Sequence, residues 1–86
     1  MALRIISFFQ EGCMACQEQE PINRVVEQDL NIRIESIDPT KNPAYIREYG
    51  LKVTPTIIIL KDGEEKARFE GVVHREQFEE VVSKLR

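Results

Sequence analysis

Residues 3–9, LRIISFF, form an almost continuously apolar run bounded by QEG. A run this short and this apolar suits a β-strand covered on both faces, because a half-exposed strand would alternate with polar residues. A second run, VTPTIIIL at 53–60, is β-branched and reads the same way. Pro55 stands at its start, where a missing N–H is tolerated. Strands of this kind need covering elements, and the segments between them supply candidates.

From Met14 to Leu30 the apolar residues Ile22, Val25, Val26 and Leu30 recur at helical spacing among Gln, Glu and Arg. Pro21 lies inside this segment, lacks a donor and clashes with the preceding turn, so a kink is expected there. NIRIESID (31–38) alternates apolar and polar and reads as a strand. PTKNP is a turn, and PAYIREYG (43–50) has room for two helical turns stopped by Gly50. KDG (61–63) is a hairpin turn, since Asp-Gly suits the positive φ of a type I′ turn, and EEKARFEGV (64–72) returns as an antiparallel strand. In HREQFEEVVSKLR (74–86), Phe78, Val81, Val82 and Leu85 share one helical face. The order is β-α-β-α-β-β-α. A helical crossover makes the first two strands parallel and a hairpin makes the last two antiparallel. The expectation is an α/β fold: a four-stranded mixed sheet flanked by helices, in one domain spanning 1–86.

Of the 86 residues, 42% are hydrophobic and 31% charged, as in ordinary soluble domains. The net charge of −3 gives no basic footprint for nucleic acid. No stretch approaches the ~18 apolar residues that span a bilayer. The N-terminal apolar run is interrupted by Arg4 and followed by no cleavage site, so the chain reads as cytoplasmic, with no membrane partner.

The two cysteines, Cys13 and Cys16, stand in EGCMACQEQEP where the first strand meets the first helix. They are too few for a disulfide framework. A cysteine reacts as its thiolate, and a helix N-terminus favours negative charge through its unpaired N–H groups and its dipole. Cys13 is thus the expected nucleophile. Cys16, one turn later and more buried, would resolve a mixed disulfide formed at Cys13. Two other readings stand beside this one. A zinc or iron–sulfur site needs four ligands, and with only His74 in addition it would require two chains. His74 at a helix start reads more simply as a solvated residue. A purely structural disulfide would close so small a loop that it gains little chain entropy.

The strand, then CMAC at a helix start, then VTPT opening a later strand, resembles the thioredoxin superfamily over essentially the whole chain. The spacings carry the resemblance. Pro21, five residues after Cys16, matches the proline of the active-site helix. Tyr49-Gly50 stand ahead of Pro55, and Gly63 and Gly71 follow it at successive intervals of eight. Asp38 follows the second strand as in thioredoxins. The resemblance implies a thioredoxin fold with a cis Pro55 beside the cysteines. It implies a groove of Gly12, Met14, Ala15, Thr54, Pro55, Gly71 and Val72, in which the backbone of Thr54 would bond an extended substrate strand. It implies a monomeric thiol–disulfide oxidoreductase that acts on disulfide-containing proteins. Recharging would come from a thioredoxin reductase-type or other thiol donor, with no metal or organic cofactor.

The departures are specific. Thioredoxins usually carry Trp before the first cysteine and Gly-Pro between the two, where this chain has Gly12 and Met14-Ala15. Their buried aspartate, a proton acceptor for the resolving thiol, corresponds to Ser7, and its lysine partner to Ile34. Glutaredoxins share the short plan, and a glutathione-dependent reductase is an alternative. However, Gln10, Glu11 and Gly12 precede Cys13 where a lysine would hold the anionic tripeptide, and Glu11 would repel it. A binding module that docks extended peptides, with the thiols in a minor part, is the reading from a different class.

Overall fold

The computed structural model describes residues 2–86. Strands β1 (Leu3–Phe8), β2 (Ile34–Ile37), β3 (Thr56–Lys61) and β4 (Glu64–Glu70) form one sheet in the order β2-β1-β3-β4. β1 runs parallel to β2 and antiparallel to β3, and β3 pairs antiparallel with β4. Helices α1 (Met14–Leu30), α2 (Ala44–Tyr49) and α3 (Arg75–Leu85) flank it. The expected architecture is the observed one. No helix among the described residues is long and apolar enough to cross a membrane.

β1 and β3 are central, which is why their sequences are apolar on both faces. On one face Ile5, Ile57 and Ile59 pack with Val26 of α1 and with Phe78 and Val82 of α3. On the other, Ile6, Phe8, Ile58 and Leu60 pack beneath Tyr45 and Tyr49 of α2. Phe8 sits 5.8 and 5.4 Å from those two rings in tilted contact. The mid-chain turn Asp62-Gly63 takes positive φ at both positions (54° and 82°), as a two-residue hairpin loop requires.

Some boundaries differ from the sequence reading. β3 begins at Thr56 rather than at residue 53, because Val53–Pro55 form a bend outside the ladder. The PTKNP turn contains a short 3₁₀ helix, Pro39–Lys41, whose N-cap Asp38 accepts from the Thr40 N–H. α1 runs through Pro21 without a break. Its buried residues are Cys16, Gln19, Asn23 and Val26, whereas Val25 is 38% exposed. The inward face of α1 is therefore polar in its middle.

Between the neighbouring strands β1 and β2, Arg4 and Glu35 make a two-bond ion pair at 2.7 and 3.0 Å. The Arg4 hydrogen bond holds the Glu35 carboxyl below its usual range. A lowered carboxylate pKa gives stability that is present above the unfolded-state value and lost as pH falls through the folded one. Both side chains are substantially solvated, so the pair is worth at most about 1 kcal/mol. Thermal unfolding of Glu35→Gln is therefore expected to lie slightly below wild type at pH 7 and to approach it as acid protonates the Glu35 carboxylate.

Candidate active site

The last residues of β1 lead through Phe9–Gly12 into α1. Gly12 has φ +75°, a conformation that suits glycine and turns the chain out of the sheet. Cys13 then takes an extended backbone (φ −94°, ψ 110°) as the N-cap of α1. Its Sγ stands where a capping oxygen usually stands and accepts the Cys16 backbone N–H at 3.1 Å. Cys13 and Cys16 are joined as a disulfide, with Cα atoms 5.2 Å apart. Cys16 is 8% exposed and Cys13 is half-buried. The outer sulfur is thus the one a large disulfide can reach.

The second wall comes from the segment before β3. The Thr54–Pro55 peptide is cis. Thr54 presents its carbonyl oxygen 3.6 Å from Cys13 Sγ, and its hydroxyl lies 3.6 Å from the same sulfur. In the dithiol state the Cys13 S–H has an acceptor in that carbonyl. As a thiolate, the sulfur has donors in the Thr54 hydroxyl and the Cys16 N–H. The third wall is the chain leaving β4, where Gly71 donates its N–H to the Pro55 carbonyl at 2.9 Å. Met14 is 78% exposed and Val53 is 49% exposed. These contacts link Cys13, Cys16, Thr54, Pro55 and Gly71; Gly12 and Met14 adjoin Cys13 in the chain, and Ala15 and Val72 are half-buried.

Ser7 is buried at 4% exposure, and its hydroxyl accepts from Asn23 Nδ2 at 3.0 Å. Asn23 in turn accepts from Gln19, which is 1% exposed. A neutral polar chain thus occupies the position to which the resemblance assigns an ionisable acid. Reintroducing that acid as Ser7→Asp places a carboxyl in a buried site, where desolvation raises its pKa. The expected result is a new inflection in the pH profile of thiol–disulfide exchange. Identical profiles would show that Ser7 is only a small core residue.

Three contributors escaped the sequence reading. Gln10 lies near the Thr54 hydroxyl, with its Oε1 3.3 Å away. Gln19 and Asn23 share a face with Cys16 and Val26, and this 3-4-3 spacing is the signal in the sequence that marks them as inward-facing. His74 is the exposed N-cap of α3, as its position suggested. Among the described residues no group of three or more His, Cys, Asp or Glu side chains is placed to hold a metal ion.

Comparison with known proteins agrees with this geometry. The thioredoxin family model matches residues 2–84. Chloroplastic thioredoxin Y1 of Arabidopsis thaliana is 33% identical over 75 residues, which is 85% of this chain and 44% of that protein. The thioredoxin of Chlamydia trachomatis is 29% identical over 83 residues, covering 95% of this chain and 81% of that one. The chain spans about half the length of the Arabidopsis relatives it matches. Among solved structures, a malaria-parasite thioredoxin-2, a component of that parasite's protein secretion machinery, superposes with a TM-score of 0.88 at 27% identity. It covers 96% of this chain and 82% of its own. A sulfur-capped helix facing the Thr54 backbone, and a family match that runs nearly end to end, agree on one conclusion: the chain belongs to the thioredoxin family.

Proposed function

We propose that the protein is a thioredoxin-like protein dithiol–disulfide oxidoreductase that cycles the Cys13–Cys16 pair. The observation that carries the reading is the capping geometry of Cys13. Its sulfur receives the Cys16 N–H at the mouth of a seventeen-residue helix, a setting that stabilises a thiolate. The Cys13 thiolate attacks one sulfur of a substrate disulfide, and the other substrate sulfur leaves as a thiolate. Cys16, after losing its proton, attacks Cys13 Sγ. The second substrate thiolate leaves, and two electrons have passed to the substrate. The Cys13–Cys16 disulfide is then reduced by a thioredoxin reductase-type or other thiol donor.

Substrate docking follows from the same walls. Gly12, Met14, Ala15, Thr54, Pro55, Gly71 and Val72 form a groove that accepts an extended chain beside Cys13, in the manner of an added strand. Glu11 and Glu20 line the cleft on the Cys16 side, which disfavours anionic glutathione as the partner. A monomer suffices, because both cysteines come from one chain. A dithiol cycle needs a compartment that supplies reductant. The cytoplasm is the simplest such place, although relatives include chloroplastic thioredoxins.

The test is reduction of insulin with dithiothreitol as donor. Catalysed precipitation of the freed chains supports the reading. Binding of insulin with no acceleration of its reduction would favour the peptide-binding module instead.

A further inference from the structure

We propose that Gln19 is a positioning residue of the substrate groove, holding the Gly71–Val73 segment against α1 for recognition of extended protein disulfides. The inference rests on the groove reading above. Gln19 lies three residues beyond Cys16 on the buried face of α1 and is 1% exposed. Its Oε1 accepts the Val73 N–H at 2.8 Å, and its Nε2 donates to the Val73 carbonyl at 3.1 Å. One carboxamide therefore pairs both backbone groups of one residue, as a neighbouring strand would.

The segment has no such strand. The pairing of β3 with β4 ends at Thr56–Glu70, and the Gly71 N–H closes on the Pro55 carbonyl. The chain is thus pinned to the cis-proline wall at Gly71 and to α1 at Val73, with the half-buried Val72 between the two. Gln19 is itself held, because its second Nε2 hydrogen goes to Asn23 Oδ1 at 3.0 Å and Asn23 donates to Ser7. Every group it bonds is neutral. Without the carboxamide, both polar groups of a residue only 3% exposed lose their partners. The segment must then shift to satisfy them.

A long peptide uses the groove, whereas a small aromatic disulfide needs only the Cys13 sulfur. The experiment compares insulin with 5,5′-dithiobis(2-nitrobenzoate) in wild type, Gln19→Leu and Gln19→Glu. For Gln19→Leu, kcat/KM on insulin is expected to fall about tenfold, the loss of roughly one hydrogen bond's worth of binding, mainly through KM. The rate on the small disulfide is expected to stay within about twofold. Gln19→Glu adds a second readout. A protonated carboxyl offers one acceptor and one donor to Val73, whereas a carboxylate only accepts. The insulin-to-small-disulfide ratio of this variant is therefore expected to approach wild type in mild acid and to drop toward that of the leucine variant in base. If Gln19→Leu does not fold, the same ratio in Gln19→Glu decides. Variants that keep wild-type insulin kinetics, or that lose both substrates in equal proportion, overturn the positioning role. A wild-type protein that reduces the small disulfide but not insulin overturns the groove reading itself, and the inference falls with it.

Discussion

Replacement of Cys13 by serine is expected to reduce turnover of protein disulfides to the uncatalysed background, a loss of about 10³-fold or more, as for removal of a reacting nucleophile. A hydroxyl at this position can still cap α1, so the fold is expected to survive. Cys16→Ser is expected to behave differently. Its Cys13 still attacks, but no internal thiol resolves the product, and a covalent adduct between enzyme and substrate accumulates. Intact-mass measurement reads the adduct directly, and peptide mapping places it on Cys13. An adduct on Cys16 in Cys13→Ser, with none on Cys13 in the reciprocal variant, would reverse the assigned roles. The asymmetry follows from exposure: Cys13 is half-buried at the surface, and Cys16 is only 8% exposed beneath it.

The largest expected effect on stability comes from Phe78→Ala. Phe78 is fully buried, belongs to the cluster that docks α3 onto the sheet, and packs against Phe69 with ring centroids 5.9 Å apart. Truncation removes the transfer free energy of the ring and leaves a cavity, a cost of ~3–5 kcal/mol. A domain of this size has a total stability of only ~5–10 kcal/mol. The variant is therefore expected to melt roughly 15 °C or more below wild type, as followed by circular dichroism of the disulfide form. Phe78→Leu is expected to recover most of the loss. A shift of only a degree or two for the alanine variant would mean that α3 contributes little to the core.

LRIISFF and TIIIL are readable as strands buried on both faces because they are almost continuously apolar, and the structure places both in the middle of the sheet. The helical crossover and the Asp-Gly turn then decided the strand directions. The placement of the cysteine pair is readable because it depends on a local feature, a helix N-terminus. What local pattern did not disclose depends on partners distant in the chain. Gln19 and Asn23 look like solvent-facing residues of a polar helix until Val73, 54 positions away, and Ser7 are brought against them. Val25, counted toward the apolar face, is displaced outward because those two amides and Val26 take the inward positions. The β-branched run from residue 53 predicts a β3 that starts three residues ahead of the observed Thr56, for a similar reason. Val53 and Thr54 have strand-forming side chains, yet Val53–Pro55 bend away from the ladder, and the Thr54 carbonyl and hydroxyl meet the Cys13 sulfur.

The central claim is that the position of Cys13 at the head of α1 makes it the reactive thiol. Alkylation of the fully reduced protein by limiting iodoacetamide as a function of pH, with the label located by peptide mapping, tests it most directly. The expected result is modification at Cys13, with a midpoint below the ~8.5 of a free thiol and with Cys16 largely protected. Equal labelling of the two cysteines, or a Cys13 midpoint at or above that of a free thiol, would contradict it.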